Sequence, residues 1–372
     1  MKKVTIPFFG VRRFYKKYSK DILNIVDTVF SHGQVLMGPE VDKFEEKIKL
    51  RCQRKHAVAV SSCTDALFFS LLSAGIQPRD EVLITSFSFI ASVTPVLRLG
   101  AIPVFVDINK DDFMMNLNDL ESKITDKTRA VVAVHLFGQC CSIDKLEKIA
   151  KKYDLIIIED AAQSLGSVQK NRTAGSLGLV SSISFDPTKI IGAFGNGGVV
   201  LTDDDRVFDT VKKMRYHGKN LRTGSFEFLG FNSRLSTLQA ALLNFQLDLL
   251  DNLIERGIEI AQEYTKNFKN ISKIKTPGIN EGNKHIYHKY VILVENRQQL
   301  EKYLADQGIS TKVHYPKALF EHELFKDYNY RAEDIINVHK IKNQVLSLPI
   351  YPELNNEEIE YICTTVRKFF TS

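Results

Sequence analysis

The segment LIIIEDAAQS, residues 155–164, decides the fold of this chain. Four consecutive apolar residues precede two carboxylates, Glu159 and Asp160. A run that is apolar on consecutive residues predicts a strand buried on both faces, as in a parallel sheet. Ligands of open α/β sheets bind beyond the carboxyl ends of such strands. A ligand is therefore expected at the end of this segment.

Similar apolar runs recur on both sides of it, each ending in a polar or glycine-containing loop. They are HAVAVSS (56–62), EVLITSFSF (81–89), IPVFVDI (102–108), RAVVAVHLFG (129–138) and SSISF (181–185). Between them, CTDALFFSLLSAG (63–75) and SIDKLEKIAKKY (142–153) have helical spacing of apolar residues. This alternation predicts an α/β fold with a mainly parallel sheet flanked by helices.

The pattern changes from about Ser236. Residues 237–268 predict one long amphipathic helix or two joined helices. Strand-like and helix-like segments then alternate to the end of the chain, which indicates a smaller α+β unit. A chain of 372 residues suggests two domains that share a cleft. We predict a large domain over 1–240 and a small C-terminal domain over 241–372.

Charge and composition restrict the partners. The net charge is +6, but no polybasic run occurs, so we predict no nucleic-acid partner. The mild positive charge either steers a diphosphate-bearing substrate or simply belongs to a soluble surface. No apolar run approaches the ~20 residues that span a bilayer, so we expect no membrane partner.

Cysteine usage and the N-terminus suggest a compartment. The five cysteines are odd in number and include no CxxC pair, which indicates free thiols in a reducing compartment. The first residues, MKKVTIPFFGVRRFYKKYSK, lack an apolar signal core. We therefore expect a cytoplasmic protein, and we predict no metal site.

Asp160 is the first candidate for chemistry. A carboxylate at the end of a strand can hold a pyridinium nitrogen protonated, which keeps pyridoxal phosphate (PLP) an electron sink. The alternative is a helix N-cap, for which Asp is a favoured residue.

Lys189 is the second candidate. The stretch SSISFDPTKIIGAFGNGGVV, residues 181–200, leads from a strand into a loop with this lysine and four glycines. An amine that reacts with an aldehyde needs backbone packed closely around a flat ring, and glycines permit that approach. A lone lysine is otherwise a solvated charge. The combination of Asp160, Ser184 and Lys189 in one α/β unit favours the catalytic interpretation.

Two further segments each allow a functional and a structural interpretation. SSCTDAL, residues 61–67, lies where a strand meets a helix, so its backbone N–H groups bind a phosphate or simply begin a capped helix. Phe89 follows a strand and either stacks on a flat cofactor or belongs to the core.

Taken together, the chain resembles the DegT/DnrJ/StrS family of sugar aminotransferases, which have the fold-type-I PLP architecture. The resemblance covers nearly the whole chain in the family's order. It rests on segments 34–47, 61–67, 86–108, 135–139, 157–167, 184–200, 230–243, 288–292, 313–316 and 345–354.

The resemblance implies a role for each matching cofactor residue. Lys189 corresponds to the lysine that bonds the cofactor, Asp160 to the partner of its ring nitrogen and Gln163 to the partner of its ring hydroxyl. Phe89 corresponds to the aromatic that stacks on the ring.

The phosphate-binding residues match as well. They are Cys63 and Thr64 in the phosphate turn, Ser184, and Asn232, which reaches across a dimer interface. The resemblance therefore implies a homodimer with shared active sites.

Three positions depart from the family pattern. Cys63 replaces a usual glycine, so a phosphate turn that needs an unusual backbone angle there would be strained. Asn196 replaces a usual acidic residue near the lysine. Gln163 is followed by Ser164-Leu165, where the family often has a pair such as Ala-His. None of these replaces a chemistry-bearing group.

The implied function is amino transfer from glutamate to a nucleotide-linked keto-deoxy-sugar, in amino-sugar and polysaccharide biosynthesis. The stretch 230–243 is similar to the branch that acts on 3-keto sugars, linked to dTDP or UDP; a 4-keto sugar is the alternative. Substrate contacts are expected from Lys219, His314 and Tyr315, each of which could equally be structural or solvated.

Two other functions remain as alternatives. One is a non-catalytic regulator that keeps the fold. The other is a dehydratase, but relatives that dehydrate carry His in place of the lysine, whereas Lys189 is present here.

Overall fold

The structure is a computed structural model that describes residues 5–371. The α-helices of this part are α1 (Val11–His32), α2 (Pro39–Arg51), α3 (Cys63–Ser73), α4 (Thr94–Arg98), α5 (Leu117–Ser122), α6 (Ile143–Tyr153), α7 (Asp205–Met214), α8 (Thr237–Phe268), α9 (Arg297–Asp306), α10 (Asn337–Ile341) and α11 (Asn356–Thr371). The strands are β1 (His56–Val60), β2 (Glu81–Thr85), β3 (Ile102–Val106), β4 (Thr128–Val134), β5 (Ile156–Asp160), β6 (Val168–Gln169), β7 (Arg172–Thr173), β8 (Val180–Ser184), β9 (Gly198–Thr202), β10 (Ile274–Lys275), β11 (Asn283–Lys284), β12 (Tyr290–Val294) and β13 (Val345–Leu348).

Seven strands form the central sheet in the order β1-β9-β8-β5-β4-β2-β3. All are parallel except β9, which runs antiparallel to β1 and β8. Every residue of β2 and β8 is buried, as expected of strands that are covered on both faces. The predicted α/β fold with a mainly parallel sheet is confirmed, and β9 is a strand that was not among the predicted ones.

Helix α3 begins at Cys63, the first residue of the segment 63–75 that was predicted to be helical. Its N-cap is Ser62, whose hydroxyl accepts a hydrogen bond from the backbone N–H of Asp65 at 3.1 Å. The chain leaves the helix through Gly75, whose φ of 84° is in the left-handed region that favours glycine. These local signals place the start of α3 directly after β1, beside the carboxyl edge of the sheet.

Helix α8 is a single helix of 32 residues. It packs against α2 beside the large sheet and against α11 near the C-terminus. A second sheet, β10-β12-β13, shares a core with α8 that includes Tyr264, Phe268 and Tyr290. Helix α8 passes through the predicted boundary at residue 240. The division into domains over 1–240 and 241–372 stays a prediction.

The register of the sheet determines where a site can form. Val134 pairs with Asp160, and Asp160 pairs with Ser182. The ends of β4, β5 and β8 therefore lie side by side, with the loops that follow them on the same edge. Over residues 5–371, no helix has the length and apolar character needed to cross a bilayer.

Candidate active site

A cavity of about 610 Å³ opens at this edge of the sheet. Nine of the eleven predicted site residues line it, although they come from distant parts of the chain. They are Cys63, Thr64, Phe89, Asp160, Gln163, Ser184, Lys189, His314 and Tyr315. Asn232 and Lys219 do not line it.

Asp160 is only 3% exposed and is held by two hydrogen bonds. Its Oδ2 accepts from the Ser92 hydroxyl at 2.7 Å, and its Oδ1 accepts from the backbone N–H of Ala162 at 3.1 Å. Burial raises the pKa of this carboxyl, while both hydrogen bonds and the charge of Lys189 oppose the rise. Residues 161–167 form turns rather than a helix, so the helix-cap alternative for Asp160 is wrong.

A chain of two serine hydroxyls, which was not among the predicted site residues, lies behind Asp160. Ser92 contacts the carboxylate and also lies 2.9 Å from the hydroxyl of Ser88. Both serines are buried in the turn that follows β2. The stretch SFSFIAS contained this signal, since hydroxyl residues that follow a buried strand reach the same edge of the sheet.

Glu159, the neighbour of Asp160, does not line the cavity. Successive strand residues point to opposite faces. Glu159 accepts from the backbone N–H groups of Gly175 and Leu177 and from the Ser181 hydroxyl, and its Oε1 lies 2.8 Å from His135 Nε2. Burial opposes ionisation, but these contacts hold the pKa of Glu159 below its usual range. Glu159 is therefore a structural residue in this site.

Lys189 lies in the loop after β8, where its backbone N–H donates to Asp186 O at 2.9 Å. Burial lowers the pKa of its amine, while the negative charges of Asp186 and Asp160 act in the opposite direction. The loop is packed tightly: a Cβ on Gly192 would lie 2.8 Å from Asp186 O. Lys189 is thus held as an amine that is more readily neutral than a solvated lysine.

The start of α3 forms the other end of the cavity. Cys63 and Thr64 line the cavity here together with Ser184 from the end of β8. A Cβ on Gly198 would lie 2.5 Å from Ser62 O, so this glycine lets β9 approach the start of the helix. Cys63 has a negative φ, so the backbone strain that could follow from a cysteine in place of the family's usual glycine is absent. Burial raises the pKa of its thiol, which therefore stays protonated.

Gln163 and Tyr315 are joined to each other. The Gln163 side chain accepts from the backbone N–H of Phe137 and donates to the Tyr315 hydroxyl, both at 3.0 Å. Nδ1 of His314 lies 2.8 Å from the Ser347 hydroxyl. Burial, with the charges of Lys289 and Lys312, lowers the pKa of His314 to about 3. His314 is therefore a neutral ring on the cavity wall.

Phe89 is 57% exposed, and its ring lines the cavity. The alternative that Phe89 belongs to the core is therefore wrong. An exposed aromatic ring beside a cavity leaves apolar surface that a flat ligand can cover.

Asn232 and Lys219 lie on a separate surface of the chain. Asn232 Oδ1 accepts from Arg234 Nη2 at 3.0 Å, and the ammonium of Lys219 lies 5.9 Å from the ring of Phe226. The same segment carries exposed apolar side chains at Leu221, Phe226, Phe228 and Leu229. Within one chain, neither predicted residue reaches the cavity.

The residues present fit the predicted pyridoxal phosphate. A buried carboxylate is available for a ring nitrogen, a lysine amine for an aldehyde and an exposed ring for stacking. At the other end, the first N–H groups of α3 have no intrahelical acceptors, and helix N-termini bind phosphate. These groups match a flat ring compound that carries both a phosphate and an aldehyde.

Comparison with known proteins points to one family. The model of the DegT/DnrJ/EryC1/StrS aminotransferase family matches residues 16–367.

Curated relatives cover nearly the whole chain. A "pleiotropic regulatory protein" of Geobacillus stearothermophilus is 33% identical, over 99% of both chains. The dTDP-3-amino-3,6-dideoxy-alpha-D-galactopyranose transaminase of Aneurinibacillus thermoaerophilus is 34% identical, over 98% of this chain and 99% of its own. The UDP-2-acetamido-2-deoxy-3-oxo-D-glucuronate aminotransferase of Pseudomonas aeruginosa is also 34% identical, over 97% and 99%.

Solved structures are similar over the same length. DesV of S. venezuelae, solved in complex with a ketimine intermediate, has a TM-score of 0.95 and 32% identity over 99% of both chains. NtdA of Bacillus subtilis, solved with bound cofactor PMP, has a TM-score of 0.92 and 29% identity over 99% of this chain and 86% of its own.

Proposed function

Because the chain belongs to the DegT/DnrJ/EryC1/StrS aminotransferase family, we propose that it aminates a nucleotide-linked keto-deoxy-sugar with glutamate as the amino donor. It is a PLP-dependent sugar aminotransferase. The observation that carries the proposal is the convergence of Lys189, Asp160 and Ser184 on one cavity.

In this proposal, each end of the cavity holds one part of the cofactor. Asp160 would hold the ring nitrogen, Gln163 the ring hydroxyl and Phe89 one face of the ring. Cys63, Thr64 and Ser184 hold the phosphate. When bound, pyridoxal phosphate supplies an electron sink for the carbon that carries the transferred nitrogen.

Lys189 has two tasks. Its Nζ would hold the resting cofactor, and the free amine would move a proton to or from the substrate carbon. The lowered pKa of Lys189 suits both tasks, because only a neutral amine can attack a carbon or accept a proton.

Asp160 has an electrostatic task. A carboxylate against the ring nitrogen favours the protonated ring, and the hydrogen bonds from Ser92 and Ala162 favour the ionised carboxylate against the effect of burial. The serine therefore supports the charge on which the electron sink depends.

The position of amination is proposed as C3, with C4 as the alternative. The stretch 230–243 resembles the 3-keto branch, and relatives at 31–34% identity are named for 3-amino or 3-oxo sugars. The nucleotide is dTDP or UDP. These names describe the relatives, so they support the proposal without fixing the substrate.

A substrate panel tests the proposal. Purified holoenzyme is given glutamate with dTDP- and UDP-linked 3-keto and 4-keto sugars, and stable amino sugars with 2-oxoglutarate serve for the reverse direction. We expect mass spectrometry to find carbonyl oxygen exchanged for an amine on a 3-keto sugar. Loss of water instead would indicate a dehydratase. A bound cofactor whose absorbance does not respond to glutamate would indicate a regulator.

We also propose that the enzyme is a homodimer with composite active sites. The surface with Leu221, Phe226, Phe228 and Leu229 exposes apolar side chains next to Asn232. An exposed apolar patch is typical of a protein interface. Docked on a second copy, this surface would bring Asn232 to the phosphate end of the partner's cavity, and Lys219 with it.

Mixing two inactive variants tests the composite site. We expect Asn232→Asp to lose cofactor affinity, since its carboxylate would face the phosphate, and Lys189→Ala to lose chemistry. If each site uses residues of two chains, a reassembled mixture contains heterodimers with one site that carries both defects and one that carries none. Since random 1:1 reassembly makes about half of the dimers heterodimers, activity should recover towards about a quarter of that of an equal number of wild-type sites.

The control is a mixture of each variant with itself under the same reassembly conditions, which should stay inactive. A monomer by light scattering, or subunits that exchange without any recovery, would contradict the composite site.

A further inference from the structure

Lys289 is a buried lysine in the cavity that no part of the proposed mechanism uses. Its side chain is 7% exposed, and it lines the same cavity as Lys189. Its Nζ lies 4.9 Å from the ring centre of Phe9 and 5.7 Å from that of Phe8. The exposed Lys312 places its own Nζ 5.0 Å and 5.9 Å from the same two rings. Two lysine side-chain nitrogens therefore converge on one aromatic pair at the cavity wall.

Neither of these two nitrogens has a carboxylate partner within residues 5–371. No ion pair within 4.0 Å joins Lys289 or Lys312 to an acidic side chain of this part of the chain. The acidic residues that line the cavity have other partners. Asp160 accepts from Ser92, and Asp186 Oδ1 accepts from the backbone N–H and the hydroxyl of Thr188.

An unpaired cation at this depth is costly. Burial lowers the pKa of Lys289 far below its usual value, and the charges of Lys189 and Lys312 lower it further, while Asp186 acts in the opposite direction. Cation–π contacts compensate only part of the desolvation of an ammonium. A bound anion would compensate much more, because a charge-assisted hydrogen bond is strongest where water is excluded.

We propose that Lys289 and Lys312 form a cationic subsite that binds a carboxylate of the reacting molecule, beside the carbon on which Lys189 acts. This inference rests on the proposed function, because it assigns a substrate contact to the same cavity. The subsite is separate from the phosphate end of the cavity, where Cys63, Thr64 and Ser184 lie. The amines therefore have no anion assigned to them in the proposed mechanism.

The carboxylate can come from two molecules that use the cavity in turn. The amino donor carries one on the reacting carbon itself. The keto-sugar carries one if its C6 is oxidised, as in the 3-oxo-glucuronate named for the Pseudomonas relative. A neutral 6-deoxy sugar would leave the subsite to the donor alone. The two half-reactions separate these sources, because each changes the cofactor absorbance in the absence of the other substrate.

The test compares wild type with Lys289→Met and Lys312→Met in single half-reactions of the holoenzyme. The donor arm measures the half-saturating concentration of glutamate and of 4-aminobutyrate, which lacks the α-carboxylate. The sugar arm uses two UDP-linked amino sugars that differ only in carrying a carboxylate or a hydroxymethyl group at C6. In at least one arm, we expect Lys289→Met to reduce the preference for the carboxylate by about tenfold or more. Lys289→Arg should restore part of that preference.

Lys302→Met is the matched control, since Lys302 is an exposed lysine of α9 paired with Asp306. It should leave both preferences unchanged. If Lys289→Met loses the carboxylate preference in the donor arm, the subsite binds the donor. If the preference is lost in the sugar arm, the subsite binds an acidic sugar. An unchanged preference in both arms would overturn the inference, as would equal weakening of ligands with and without the carboxylate. In either case, amination of a sugar by the wild-type enzyme would still support the proposed function.

Discussion

Replacing Lys189 by alanine should abolish amino transfer while the protein stays folded. A positioned proton carrier contributes about 10²- to 10⁴-fold, and Lys189 also attaches the cofactor, so we expect turnover to fall by at least about 10³-fold. Its backbone N–H, which donates to Asp186 O, is unchanged by the substitution. Turnover of the best sugar of the panel measures the loss, and circular dichroism checks the fold.

Borohydride labelling identifies the lysine independently of activity. Reduction of the wild-type holoenzyme should leave the mass of the cofactor on the peptide that contains Lys189. The informative comparison is Lys289, a second cavity lysine whose burial also favours the neutral amine. A label on the Lys289 peptide, or a Lys189→Ala variant that still turns over, would overturn the assignment.

The second large effect is expected from Asp160→Asn. The variant should bind pyridoxal phosphate and lose about a hundredfold or more in turnover, because an amide does not hold the ring nitrogen protonated. The substitution keeps the shape of the side chain, and its amide oxygen can still accept from the N–H of Ala162. Absorbance reports cofactor binding, and single-turnover rates with glutamate report the chemistry.

Glu159→Gln is the matched control for this prediction. The two carboxylates are adjacent in sequence, but Glu159 is buried against His135, Ser181 and the N–H groups of Gly175 and Leu177. Its replacement should lower thermal stability and leave the cofactor spectrum unchanged. If Asp160→Asn turned over at a rate near wild type, its carboxylate would have no electrostatic role in the reaction.

Local sequence was sufficient for much of the fold. The consecutive apolar residues 155–158 and the segment SSISF, residues 181–185, predicted strands that are now seen as β5 and β8 in a mainly parallel sheet. Ser62 and Gly75 mark the limits of α3, because N-capping and left-handed backbone depend on single residues. Residues that end parallel strands or closely follow them gather at one edge, which is why Asp160, Ser184 and Phe89 could be assigned to one site from their positions in the chain.

What the sequence by itself determined is therefore the order and type of the elements, the edge of the sheet that carries the site, and the residues that follow each strand there. Tertiary structure alone decided which side chains meet. It turned Glu159 away from the cavity, brought Ser92 to Asp160, placed Lys289 beside Lys189, and left Asn232 and Lys219 on another surface. The physical reason is that periodicity and capping act over a few residues, whereas these contacts join residues tens of positions apart. Such contacts are set by strand register and by packing between elements, which no local pattern encodes.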